Sequence, residues 1–318
     1  MDEIVTLRNI TTEEMRDNLI FFLSVYIPLD IVVIFGNALI IVVIRQTRSY
    51  DEPQFILFGS LAFVDLLTGI IAVPIYTWGC ILRRSLYLQD IDVCELQYIP
   101  SKICASVSWF HLIFITVDRY VSIIKPLQYH KLVTLRRIYF CISISWIISC
   151  FYGVIQLFGE MEKIDGIFFC YQMNRFAIEV QRYITLAMGS IGIILLCTMY
   201  FRIVLKARKH EKNIVSIPAS TRRVFRKRYR AAKTSAIVIG AFIIVYLPYA
   251  LRPVVYSFGY QRSDVYLYVL SAEVLITMSS AVNPFIYVCR LRKFSSALRR
   301  LFNKASATAK NPENEICL

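Results

Sequence analysis

The side chains best able to do chemistry stand where chemistry is expensive. Asp65, Lys102 and Glu273 each lie alone inside a long apolar run, and a charge at mid-bilayer costs on the order of 3 kcal/mol or more unless partners compensate it. Residues so placed bind ions, bind ligands or neutralise one another. They do not form the cluster of titratable groups an enzyme needs. The histidines are scattered: His130 and His210 fall in basic connecting segments, and His111 reads as a hydrogen-bonded core residue. Asp118-Arg119-Tyr120 is the other charged constellation, an adjacent acid and base where an apolar run meets a basic segment. Its simplest reading is a solvated helix end.

The elements that must position these residues follow from hydropathy. Hydrophobic residues make up 57% of the 318 residues and charged ones 18%, with a mean hydropathy of +0.55, far from a soluble average. Segments 138–158, 183–201 and 234–251 carry no Asp, Glu, Lys or Arg, and each approaches the ~20 residues that cross a ~30 Å hydrocarbon layer. Four more spans appear if one charge each is allowed: 19–44 around Asp30, 53–82 around Asp65, 96–117 around Lys102 and 265–289 around Glu273. Pro74, Pro248 and Pro284 fall inside spans, where they predict kinks and not ends. The fold class is therefore an all-α membrane protein, a seven-transmembrane helix bundle over 19–290. Residues 1–18 precede it; a short amphipathic helix over 291–303 and a disordered tail over 304–318 follow.

Lys and Arg set the orientation. Segments 45–52, 125–137, 206–230 and 290–318 hold 23 of them, against 9 in segments 1–18, 83–93, 158–182 and 252–264. The amino terminus is expected outside, with no cleavable signal peptide visible. The net charge of +14 belongs to the inner face, where anionic membrane lipid attracts it, and nucleic acid is not an expected partner. Asn9, in Asn9-Ile10-Thr11, is a glycosylation acceptor on the outer side. Cys104, Cys141, Cys150, Cys197 and Cys289 lie in or beside apolar spans and read as small packing residues. Cys94 and Cys170 fall on the oxidising outer side, where a disulfide would persist and pin the long loop over the bundle's mouth; two free thiols are the other reading.

A set of residues, one group per span, carries a family likeness: Gly36-Asn37, Leu61-Ala62-Phe63-Val64-Asp65, Asp118-Arg119-Tyr120, Trp146, Tyr200, Phe242 with Leu247-Pro248, and Asn283-Pro284-Phe285-Ile286-Tyr287, then Phe294 in the basic stretch beyond. In this order and at these depths the chain resembles the rhodopsin-like (class A) G-protein-coupled receptors over residues 19–303. The seventh span and tail look most similar to the adenosine and melanocortin receptors. The resemblance implies a receptor with a heterotrimeric G protein as partner and an extracellular small-molecule or peptide ligand. It implies that Arg119 pairs with Asp118 at rest and turns toward Tyr200, Tyr287 and an inserted G-protein helix when active, with Leu127 on the coupling face. It also implies a sodium ion on Asp65, completed by Ser108, Ser279, Ser280 and Asn283; a water-filled network is the alternative. No other cofactor is expected. A transporter or channel would show a repeated half or charges along several spans, and the sequence shows neither.

Departures from the family pattern bear on ligand and switching. Arg228 stands where many relatives place an acid that latches the arginine, so raised basal activity is expected. Tyr246 replaces the usual tryptophan two residues before Pro248, and Gly192 replaces the fifth span's usual proline. Ser101 stands at the amine-binding aspartate's place, Thr277 at the retinal lysine's, and Pro253 at a purine-binding asparagine's. The ligand is therefore left open among amine, nucleoside, lipid and peptide. Helical periodicity aims Ser101, Lys102, Ala105, Ile184, Met188, Tyr246, Tyr249, Glu273 and Thr277 into the bundle as the expected pocket. Glu273 and Lys102 either pair with each other or anchor charged ligands.

Overall fold

The computed structural model of the chain describes residues 12–46, 52–85, 97–155, 175–212, 229, 232–233, 236–237, 240–248, 251, 262–290, 295–296 and 298–300. Every regular element among them is helical. Five helices are long and apolar enough to cross a membrane: the first, second, third, fourth and fifth spans. The described residues of the sixth span are helical over 240–248, and the seventh runs from Arg262 to Arg290.

Hydropathy marks where the chain crosses hydrocarbon, and several helices outrun it. The first covers Thr12–Gln46, 35 residues, and the fifth Arg175–Lys212, 38 residues. At ~1.5 Å per residue both exceed the ~30 Å apolar layer by several turns. The third helix is Ile99–Ile124, so Asp118-Arg119-Tyr120 lies within it and does not close it as expected. The stop comes at Lys125, with φ −123° and ψ 59°, because Pro126 disfavours helical geometry in the residue before it. The fourth helix, Leu135–Val154, opens on Thr134, whose hydroxyl accepts from the Arg137 N–H; the helix thus begins and ends a few residues before the expected span. The second helix runs Pro53–Leu67, loosens into a π-turn at Thr68–Ala72 and continues as Val73–Ser85. Pro74 has no N–H to donate one turn back, and the wider turn just before it absorbs that loss.

The polarity of the bundle is inverted relative to a soluble fold. Asn37, His111 and Thr116 are fully buried, while Phe35 and Phe151 are 71% and 72% exposed. Only a surrounding of lipid makes that arrangement favourable. The third helix is the axis: 61% of its most apolar window is buried, against 22% in the fourth and fifth. The first helix packs on the seventh, so closely that a Cβ on Gly36 would lie 2.9 Å from Pro284 Cγ. Beside it Asn37 Nδ2 donates to the Ser280 carbonyl at 3.1 Å, and Tyr26 shares a 3.2 Å hydrogen bond with Thr277. His111 ties the third helix to the second: Nδ1 donates to the Val107 carbonyl at 2.8 Å, and Nε2 meets the Ser60 hydroxyl at 2.7 Å. Leu298, beyond the seventh span, packs on the main core.

Candidate functional site

Three groups of polar residues lie along the third helix, one at each depth. At the inner end Arg119 Nε donates to Asp118 Oδ2 at 2.8 Å, and its Nη2 reaches the same oxygen. The other carboxylate oxygen accepts from the Tyr129 hydroxyl at 2.7 Å. Asp118 and Arg119 are both buried, so the pair is a charge-assisted contact shielded from water and not the solvated helix end of the simplest reading. Tyr129 belongs to a one-turn helix, Tyr129–Leu132. Its last carbonyls, Lys131 and Leu132, accept from Arg137 Nη1 at 3.1 and 2.8 Å. Between this helix and the third, Leu127 projects with 99% of its surface exposed. Tyr120 accepts from Arg202 on the fifth helix at 3.2 Å. Tyr200 packs against Ile123, Ile203 and Ala232, and Tyr287 is fully buried against Phe58, ring centroids 4.7 Å apart.

At mid-depth Asp65 is buried and receives two donors from the seventh helix: Ser280 Oγ to Oδ1 at 2.7 Å and Asn283 Nδ2 to Oδ2 at 2.8 Å. Ser279 turns back on its own helix, donating to the Ile276 carbonyl at 2.6 Å. Ser108 is buried on the third helix. One further oxygen was not foreseen. Asn37 Nδ2 donates to the Val33 and Ser280 carbonyls at 2.9 and 3.1 Å, which fixes the amide's orientation and leaves Oδ1 buried with no hydrogen-bond partner among the described residues. Spare acceptors on Asp65 and Asn37, in one buried region, suit a small hard cation or a water molecule.

At the outer depth a cavity opens between the third, fourth, fifth and sixth helices. Lys102, Ala105, Ser106 and Trp109 form its third-helix wall; Tyr152, Thr185, Met188 and Tyr246 face them. Of the residues expected there, Lys102, Ala105, Met188 and Tyr246 are brought together. Ser101, Ile184, Glu273 and Thr277 do not line it, and Thr277 bonds instead to the first helix through Tyr26. Trp109 was legible in principle, one helical turn inward from Ala105. Tyr152 and Thr185, hydrogen-bonded to each other at 2.7 Å, depend on the rotation of two helices that carry few polar markers. Beneath the cavity three rings stack: Trp109 on Tyr246 at 5.6 Å and 9°, Trp109 on Phe242 at 5.6 Å and 24°, and Phe242 on Tyr246 at 5.3 Å and 17°. A Cβ on Gly192 would collide with the Trp109 indole. The fifth helix's glycine is thus the space that the indole fills.

A family description, 7 transmembrane receptor (rhodopsin family), matches residues 36–287. The chain belongs to that family. Among curated relatives, trace amine-associated receptor 7a of Mus musculus is 28% identical over 285 residues, covering 83% of this chain and 77% of the relative. Trace amine-associated receptor 13c of Danio rerio is 30% identical over 273 residues, covering 80% and 78%. This rhodopsin-family receptor is accordingly a multi-pass membrane protein that couples ligand binding to a G protein. Asn9, Cys94, Cys170, Arg228 and Tyr249 lie outside the described residues.

Proposed function

We propose that this receptor resides in the plasma membrane with its amino terminus outside, takes a small ligand in the outer cavity, and passes the signal to a heterotrimeric G protein at its inner end by conformational change alone. The observation that carries the reading is the buried Asp118–Arg119 pair, held on its far side by Tyr129. A charge pair of this kind has two stable arrangements, closed on itself or opened toward a partner, and a two-state element is what a transmembrane signal requires. Opening frees the guanidinium toward Tyr200 and Tyr287 and exposes an apolar cleft rimmed by Lys and Arg of the third inner loop. That cleft is complementary to an apolar helix ending in a carboxylate. A sodium ion on Asp65, with Ser280, Asn283 and Asn37 close by, would favour the closed form.

Guanine-nucleotide exchange by a purified heterotrimer, with the receptor in lipid nanodiscs, tests the reading. Receptor should accelerate exchange above the G protein alone, and Arg119→Ala should abolish the acceleration at equal receptor concentration. Exchange untouched by Arg119→Ala, or ion flux through the receptor in liposomes, would overturn it.

A further inference from the structure

Asp30, the acid inside the first span, takes part in none of the three polar groups along the third helix. We infer that it is the docking point for a second membrane protein, whose transmembrane helix lays a Lys or Arg against this carboxyl near the middle of the bilayer. The inference stands apart from the coupling reading.

Depth comes first. The first apolar helix segment begins at Leu19, and the rise of ~1.5 Å per residue from there sets Asp30 about 16 Å deep, near the centre of a ~30 Å hydrocarbon layer. An acid at that depth persists only with partners. Asp65 has Ser280 and Asn283. Asp30 has no such support: its Oδ1 is buried with no hydrogen-bond partner among the described residues. The residue as a whole is only half-buried, so the carboxyl is not sealed within the bundle and one edge of it meets lipid. The second helix is shaped to hold it there. In the π-turn a Cβ on Gly69 would lie 3.0 Å from Asp30 Oδ1 and 2.6 Å from Ile34 Cγ1, so any side chain at 69 would displace the carboxyl or its neighbour.

Position and charge then select the occupant. Lipid headgroups and bulk water lie about 15 Å away, on either side of the hydrocarbon layer, and neither reaches the carboxyl. A transmembrane helix moving laterally does, and polar side chains are what join such helices where the hydrophobic effect cannot. The side chain that offsets an acid at this depth is a cation. The surroundings leave room for a helix to lie alongside: Ile27 and Ile31 of the first helix, and Ile70, Ile71 and Pro74 of the second, are all exposed. A second copy of the receptor cannot supply the cation. The seven apolar spans hold one Lys or Arg between them, Lys102, and it is buried. The partner is therefore a different protein.

Defined peptides replace the unknown partner in the test. Full-length receptor with a donor dye at its carboxyl terminus is reconstituted in phosphatidylcholine vesicles with acceptor-labelled single-span peptides of about 20 apolar residues. The peptides are identical except at the centre, which is Lys, Gln or Leu, and energy transfer is titrated against peptide density in the membrane. The Lys peptide should associate at a density about tenfold lower than the Leu peptide, the scale of a polar contact between model helices. Asp30→Leu should remove that preference, and the near-isosteric Asp30→Asn should weaken it. Both variants are checked for cooperative thermal unfolding, so that either one, if folded, suffices. Equal association of the three peptides, no association of the Lys peptide, or a Lys preference that survives loss of the acid would sink the inference. A Gln peptide as tight as the Lys peptide would show that a neutral donor is enough and remove the case for a cation. Energy transfer between receptor copies without peptide, abolished by Asp30→Leu, would make a second copy the occupant and overturn the choice of a different protein. Nucleotide exchange by the same variants bears on the coupling reading alone.

Discussion

Asp65 shows how a single intramembrane charge is made tolerable. Both of its oxygens are engaged by the seventh helix at 2.7 and 2.8 Å, and hydrogen bonds to a charged group contribute about 1.5–3 kcal/mol each. Asn37 Oδ1, buried and with no hydrogen-bond partner among the described residues, is an acceptor wanting a cation or a water proton, and Asn37 shares Ser280 with Asp65. If the occupant is sodium, exchanging KCl for NaCl at equal ionic strength should raise the unfolding midpoint of the purified receptor. A free ion at ten times its dissociation constant contributes about 1.4 kcal/mol. Asp65→Asn should erase the difference between the salts. Equal midpoints for the wild type in both would assign the place to water. Asp65 and its seventh-helix partners were legible in the sequence because an acid in an apolar run demands an explanation. The role of Asn37 was not, since an amide oxygen's spare lone pair depends on where two carbonyls of different helices happen to lie.

At the level of helices, the packing of the fifth against the third turns on one missing methyl. Gly192→Ala would drive a Cβ into the Trp109 indole, and overpacking of this kind costs about 1–3 kcal/mol. Trp109→Leu alone should also destabilise, by removing the stack with Tyr246 and Phe242. The double variant should lose less than the sum, a coupling that a double-mutant cycle on thermal stability measures; strict additivity would mean the two residues do not share the space. A second device is the loop after the third helix. Arg137 clamps the last carbonyls of Tyr129–Leu132 and Tyr129 anchors that turn to Asp118, so Leu127 is presented on a formed scaffold. Arg137→Ala should raise the G-protein concentration needed for half-maximal exchange by a few-fold, leaving the saturated rate near wild type. A change in the saturated rate alone would place Arg137 in the switch and not in docking. Helix existence and order were readable from hydropathy. Helix ends were not, because polar flanks such as Thr12–Asn18 continue a helix where hydropathy has already fallen, and ends such as Lys125 are set by a following proline.

For the molecule as a whole, the balance between resting and active forms is the property that matters, and the family resemblance implies that Arg228, outside the described residues, bears on it. A cation at that position cannot latch Arg119, and each ~1.4 kcal/mol taken from the resting form multiplies the active-to-resting ratio by ten. Ligand-free exchange should be measurable for the wild type and should fall with Arg228→Glu at equal receptor concentration. Basal exchange indistinguishable from G protein alone, and unmoved by Arg228→Glu, would show that contacts such as the Asp118–Tyr129 bond suffice to close the receptor. The global architecture was the most legible level of all. Seven apolar blocks, with 23 basic residues on one side against 9 on the other, leave few alternatives in a bilayer. The depth at which fourth- and fifth-helix side chains meet the cavity was least legible, since lipid-facing and bundle-facing sides of those helices are almost equally apolar.

The contacts between the first and seventh helices have a consequence for synthesis. Tyr26 with Thr277, Asn37 with Ser280 and Gly36 with Pro284 join residues some 240 to 250 positions apart, and chains emerge at roughly 5–20 residues per second. The first span must therefore wait tens of seconds in the membrane without the seventh-span contacts of Tyr26, Gly36 and Asn37, until the last span is inserted beside it. During that interval the nascent protein is a substrate for quality control, and a ribosome stalled before residue 270 leaves an intermediate that cannot close. Variants that slow late insertion should thus lower receptor yield without altering the stability of the molecules that finish.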